Sequence, residues 1–239
     1  MRIFSTEYLV SLAAVAGATA LVTAAARLYP GRWTALFARA LAVLLVANQL
    51  SWYVVERSSL SLQWSLPLGL CDMGTFVAAA ALWWRTPLLV EITYFWGLGG
   101  TLQALLTPEL DASSRFPTYL YFQYYINHGG IVLAACFLVV GLNLVPRPWA
   151  VLRLIAITFG YLVVVAGIDV VTGGDYLYLR APPPTVSLLN VLGPWPWYIP
   201  SMIGLGVVLL LILNSPFWVM RRLARRTAPT ARKEVAGPG

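Results

Sequence analysis

Apolar residues dominate the chain in long runs, and short clusters of proline, glycine and arginine separate them. Seven runs reach the length of about 20 helical residues needed to cross a hydrocarbon core. They lie near 8–26, 36–55, 66–84, 88–106, 119–142, 150–171 and 197–219. The breaks between them carry turn chemistry. Pro30-Gly31 ends the first connection, Thr86-Pro87 the third, and Pro146-Arg147-Pro148 the fifth; proline cannot continue a helical hydrogen-bond ladder and restricts the residue before it. Two connections are longer, from Thr107 to Thr118 and from Thr172 to Pro196. The pattern predicts an all-α polytopic membrane protein with seven transmembrane helices over residues 1–220. A basic, disordered cytoplasmic tail is expected over 221–239.

Composition agrees with that pattern. Of 239 residues 59% are hydrophobic and only 10% charged, too little polar surface to cover a soluble core. The first run is long and further spans follow, so it reads as an anchor and not as a cleaved signal. The formal charge of +7 sits largely in Arg221, Arg222, Arg225, Arg226, Arg232 and Lys233. Beside an apolar helix this cluster points to anionic headgroups and membrane orientation, not to nucleic acid.

Orientation follows from the same charges, because basic connections stay cytoplasmic. The connections after the odd-numbered runs hold Arg27, Arg32, Arg39, Arg85, Arg147, Arg153 and the six tail residues, whereas the opposite face holds only Arg2, Arg57, Arg115 and Arg180. The N-terminus is therefore expected outside and the C-terminus in the cytoplasm. Abundant alanine and an almost exclusive use of arginine over lysine fit a bacterial cytoplasmic membrane protein. No internal repeat supports an inverted-repeat transporter.

This topology collects polar residues at one depth. The third run enters from outside at Leu66, which puts Cys71 and Asp72 roughly 8–9 Å down the helix. The fifth enters from the same side through Tyr119, Tyr121, Tyr124 and Tyr125, so Asn127 and His128, the chain's one histidine, lie roughly 8–13 Å down. Asn48, Gln49 and Glu56 close the second run, Gln103 the fourth and Asp169 the sixth, with Tyr176, Arg180, Trp195 and Trp197 in the connection above. Intramembrane polar groups are costly unless they face partners or a wet cavity. Their convergence predicts a pocket open to the extracytoplasmic side.

Each residue also has a plainer reading. An unpaired Cys71 is more often a small buried hydrophobe than a nucleophile, His128 is a hydrogen-bonded structural residue as readily as a functional one, and Gln103 beside Gly97-Leu98-Gly99-Gly100 suits helix packing better than substrate contact. Trp195, Trp197 and Tyr198 suit interfacial anchoring. One histidine and two cysteines, with Cys136 two turns below His128 on the same run and about 80° around it, make no tetrahedral metal set. Glu91, alone in the inner half, is expected to pair with Arg85 or another interfacial cation.

Four ordered motifs carry a family likeness: Leu66-Pro67-Leu68-Gly69-Leu70-Cys71-Asp72, Gly100-Thr101-Leu102-Gln103-Ala104-Leu105-Leu106-Thr107-Pro108, Asn127-His128-Gly129 and Gly193-Pro194-Trp195-Pro196-Trp197-Tyr198. The chain resembles the YwaF-like bacterial membrane proteins and their eukaryotic relatives, the transmembrane acyltransferases of ether phospholipid remodelling. A more distant similarity is to membrane threonine hydrolases acting on fatty acid esters of hydroxy fatty acids, whose threonine is replaced here by Cys71. The resemblance implies a thiol-dependent lipid acyltransferase or ester hydrolase without a cofactor. Cys71 would attack an acyl ester and His128 would act as base and then acid. Asp72 or Asp169 would orient the imidazole, Gln103 or a backbone N–H would hold the oxyanion, and Arg180 would meet a lipid phosphate. The family often carries histidine where this chain has Gly69. The rival readings are a lipid or small-molecule binder or transporter using the same pocket without chemistry, and a scaffold for other membrane proteins.

Overall fold

The computed structural model describes residues 5–108, 114–182 and 191–227. These residues form helices and no strands. In chain order they are α1 (Thr6–Leu28), α2 (Arg32–Val55), α3 (Leu70–Trp84), α4 (Pro87–Trp96), the π-helical turn π1 (Gly97–Thr101), α5 (Leu102–Leu106), α6 (Tyr119–Cys136), a second π turn π2 (Phe137–Gly141), α7 (Ala150–Thr172) and α8 (Tyr198–Thr227). Local chemistry sets several ends. Ser5 and Thr118 cap α1 and α6 by accepting from the N–H of Tyr8 and Tyr121, as N-cap hydroxyls do. Pro87 opens α4 at a position needing no N–H donor. Gly173, at φ +76°, ends α7 in the left-handed conformation that favours glycine.

Five helical stretches are long and apolar enough to cross a membrane: 6–28, 32–55, 119–141, 150–172 and 198–225. The other two predicted spans differ from expectation. The third begins at Leu70 instead of 66, leaving α3 with 15 residues, because Leu66 to Gly69 form a tight turn in which Leu68 N–H donates to the Leu66 carbonyl. The fourth runs from 87 to 106 but is interrupted by π1. At the other end of the chain, α8 continues to Thr227, past Arg221 where a disordered tail was expected, and the Arg222 guanidinium packs 3.5 Å over the Trp218 ring. The rest of that expected tail, 228–239, lies outside the described residues.

Helix α6 is the centre of the bundle and touches α1, α2, α3, α4, π1 and α5. Its small residues permit this. A Cβ on Gly129 would lie 2.7 Å from Val15, and one on Gly130 would lie 2.6 Å from Leu45. Gly97 in π1 approaches Ala135 in the same way. Ala78, Ala81, Ala134 and Ala135 are fully buried, the small-residue contact by which helices pack where no hydrophobic effect drives them together. Outward, Leu21, Val170 and Val171 are 72%, 79% and 87% exposed. Bulky apolar side chains on the outside mark lipid, not water, as the solvent of this surface.

Side-chain bonds tie the ends of the helices into two layers. At one end Tyr8 Oη donates to the Leu106 carbonyl, Ser51 meets Tyr119, Tyr161 donates to the Leu68 carbonyl and Tyr176 to that of Leu62. At the opposite end Glu91 binds Arg147 and Arg153, and Arg221 donates to the Pro146 carbonyl. Glu91 thus finds basic partners as expected, though not Arg85.

Candidate functional site

The predicted cluster lies in the first layer, where the starts of α3 and α6 meet the end of α2. Its centre is a chain of amides and hydroxyls. Gln49 Nε2 donates to Asp72 Oδ1 at 3.1 Å, Asn127 Nδ2 to Gln49 Oε1 at 3.0 Å, and Thr75 Oγ1 to Asn127 Oδ1 at 2.7 Å. Thr75 Oγ1 also lies 2.9 Å from the Cys71 carbonyl. Three helices are thereby locked in register around the first turn of α3. Gln49, Thr75 and Asn127 are buried, so each bond spares a group that would otherwise stand unsatisfied.

Asp72 folds back over its own helix start. A Cβ on Gly69 would sit 2.6 Å from Asp72 Oδ2, so the carboxylate occupies the space that a side chain at 69 would need. Glycine at that position and the pose of Asp72 are one feature. A carboxylate there also complements the positive end of α3.

Cys71 lies one residue before, turned about 100° around the helix from Asp72. Its thiol faces the hydroxyl of Thr101. Thr101 is buried and closes π1. A π turn inserts a residue into the helical register and is frequent at functional sites; here it sets the Gly97-Leu98-Gly99-Gly100 segment against α3 and α6, with Gly100 close to Leu70.

His128 is held from two sides. Its ring stacks on Tyr124 at 4.1 Å between centroids and 28° between planes, and Nδ1 lies 2.9 Å from the Tyr124 carbonyl. A carbonyl only accepts, so Nδ1 carries the proton and Nε2 keeps the lone pair. Tyr124 Oη in turn donates to the Ala104 carbonyl of α5. The orienting group is therefore a backbone carbonyl one turn back: neither Asp72 nor Asp169 hydrogen bonds to His128 among the described residues. No hydrogen bond joins Cys71 to His128 either.

The remaining predicted residues divide. Asn48 ties α2 to α6 by donating to the Gln123 carbonyl. Gln103 is half-buried on α5, and its amide makes no hydrogen bond among the described residues. Glu56 is engaged locally with Ser59 at the end of α2. Asp169 is buried, accepts the Tyr176 N–H through Oδ1, and finds no partner for Oδ2 among the described residues. Tyr176 clamps the 62–66 segment by donating to the Leu62 carbonyl and accepting the Leu66 N–H. Arg180 and Trp195 hold their own loop through contacts with Asp175 and the Leu179 carbonyl. Trp197 is 70% exposed.

Sequence reasoning gave no role in the site to Thr75, Thr101 or Tyr124. Two had a legible signal: Thr75 follows Cys71 by four residues and Tyr124 precedes His128 by four, so each shares its partner's helical face. Thr101 had none, because its aim depends on the π turn.

The family model described as the TMEM164 family matches residues 3–214. Comparison with curated proteins and with solved structures gives no match.

Proposed function

The chain belongs to the TMEM164 family of membrane proteins, and from that premise we propose that it is a thiol-dependent lipid acyltransferase or lipid ester hydrolase. All seven helical stretches cross the bacterial cytoplasmic membrane, with the N-terminus and the Cys71 layer facing outside and the basic end of α8 in the cytoplasm. The arginine count at the two layers supports this orientation. The likeness to YwaF-type proteins and to ether phospholipid acyltransferases supports the reaction class.

The observation that carries the reading is the fixed imidazole. His128 presents an unprotonated Nε2 because Tyr124 engages Nδ1, the tautomer that a general base requires. In the first half-reaction the Cys71 proton passes to Nε2, sulfur attacks the acyl carbonyl, and the ester C–O bond breaks as the leaving alkoxide takes that proton back. In the second, water or an acceptor hydroxyl gives its proton to Nε2 while attacking the thioester, and the thiol is restored. Gln103, with a free amide, stabilises the oxyanion. Substrate approach draws Cys71 from Thr101 towards His128, a tightening that catalytic contacts commonly show on binding. No cofactor enters this chemistry.

The test is acyl transfer from an alkyne-tagged phospholipid to the purified protein. Label on Cys71 that neutral hydroxylamine removes, that is absent in Cys71→Ala and strongly reduced in His128→Ala, is the expected result. A second reading, a lipid binder without chemistry, is favoured by the missing Cys71–His128 bond. Under it the label never appears and Cys71→Ser binds lipid like the wild type.

A further inference from the structure

Below the Gln49–Asp72 bond, α2 and α3 pack through small residues. They leave an open trough of about 470 Å³ on the outer surface, lined by Val43, Val46, Ala47, Phe76, Ala80 and Trp83 among others, and almost wholly apolar. On α2 it runs from Ala42 to Leu50, roughly 12 Å at ~1.5 Å per residue. Small alanines form its floor on both helices. The trough has one charged end. Arg39 lies on the same α2 stripe, a turn before Val43, with its guanidinium 5.8 Å from the centroid of the Trp83 ring. Arg32 lies seven residues earlier on that stripe. Neither arginine is in an ion pair or side-chain hydrogen bond among the described residues, although Glu91 at the same end is saturated by two others.

We propose that this trough is a binding site for one anionic phospholipid of the leaflet on the Arg39 side. One acyl chain lies between α2 and α3 and the phosphate meets Arg39. The charge pattern selects the occupant. A bare hydrocarbon has no use for unpaired guanidiniums, and arginine is the side chain that binds phosphate through two parallel N–H groups. The cytoplasmic leaflet, where the basic layer is placed, is also the one richest in negative lipid in many membranes. The site is separate from the Cys71 chemistry: Asp72 shares the trough's stripe on α3, whereas Cys71 points away from it towards Thr101. This lipid is therefore a resident of the fold and not the acyl donor.

Native mass spectrometry of the full-length protein in detergent tests the site, using phosphatidylglycerol and phosphatidylcholine with identical chains. Wild type is expected to hold one phosphatidylglycerol roughly tenfold more tightly than phosphatidylcholine, the effect of one charge-assisted contact. Arg39→Gln should reduce phosphatidylglycerol to the level of phosphatidylcholine. Ala47→Trp, a substitution at an exposed position that fills the trough, should weaken both lipids. Thermal unfolding of each variant checks that the fold is kept, and millimolar inorganic phosphate should leave the bound lipid in place. Equal binding of the two lipids by wild type overturns the proposal. So does unchanged selectivity in Arg39→Gln, unchanged binding in folded Ala47→Trp, or displacement by phosphate.

Discussion

Glu91, buried, and Asp72, half-buried, lie near opposite ends of this bundle, and the two carboxylates are treated differently. Glu91 accepts five N–H bonds, from the Arg147 backbone, Arg147 Nε and Nη2, and Arg153 Nε and Nη2. In return, its carboxylate holds the loop residue Arg147 above the ordinary arginine value. Asp72 accepts one bond among the described residues, from the neutral amide of Gln49. Glu91 is saturated and joins α4, the 142–149 connection and α7 into one layer. Asp72 retains acceptor capacity and is linked through amides to the turn bearing Cys71. A buried carboxylate with every lone pair engaged builds architecture, whereas one left partly open is available to a substrate, a proton or a moving neighbour.

The comparison can be broken at its strong end first. Glu91→Ala leaves two guanidiniums facing a buried apolar gap, and unfolding in detergent should show a loss of about 2–4 kcal/mol, below the upper range for buried pairs because both arginines reach solvent. A loss no larger than that of a surface substitution would refute the structural role. Next comes the clamp beside His128. Gly130→Ala drives a Cβ to 2.6 Å from Leu45, which is fully buried and cannot yield. A cost of about 1–3 kcal/mol is expected in the same measurement.

The open end should respond in the opposite proportion. Asn127→Ala strands Gln49 and Thr75, yet polar contacts between membrane helices are worth only about 0.6–2 kcal/mol, so stability should fall modestly. Acylation of Cys71 should fall much further, because α3 loses its register against α6. If labelling and stability decline together, the network is merely structural. The smallest effect is expected from Gly69→His, which displaces the Asp72 carboxylate, the end of a flexible side chain. Stability should change by less than about 1 kcal/mol, and solvent exchange at the Gln49 side-chain amide, followed by NMR, should speed up as its acceptor moves.

The helical runs were legible because lipid imposes a length and a composition on each segment. The depth argument likewise brought Gln49, Asp72 and Asn127 to one level without any contact information. Depth does not give rotation, however. Asn127 and His128 are adjacent in sequence and share a level, but about 100° separates them on the helix: one faces Gln49 and Thr75, the other stacks on Tyr124. The partner of His128 was sought among distant carboxylates and is a carbonyl of its own helix. The start of α3 was placed four residues early because Leu66 and Leu68 are as apolar as the helix they precede, while Pro67 and Gly69 hold them in a turn.

The π turn from Gly97 to Thr101 has a consequence for how such a protein can change. An α-helix advances each side chain by a fixed angle, and a π turn is a place where one extra residue has been absorbed. Removing a single residue there would let the helix relax to regular spacing and leave the flanking turns, Gln103 among them, close to where they are, whereas a residue added or removed elsewhere in the helix would turn everything after it by about 100°. Thr101 lies inside the turn, so the hydroxyl facing Cys71 would be the group withdrawn, while Gln103 beyond it would keep its place. This segment is a phase adjuster: a one-residue deletion in its glycine run would withdraw the hydroxyl facing Cys71 and leave the rest of the helix in step.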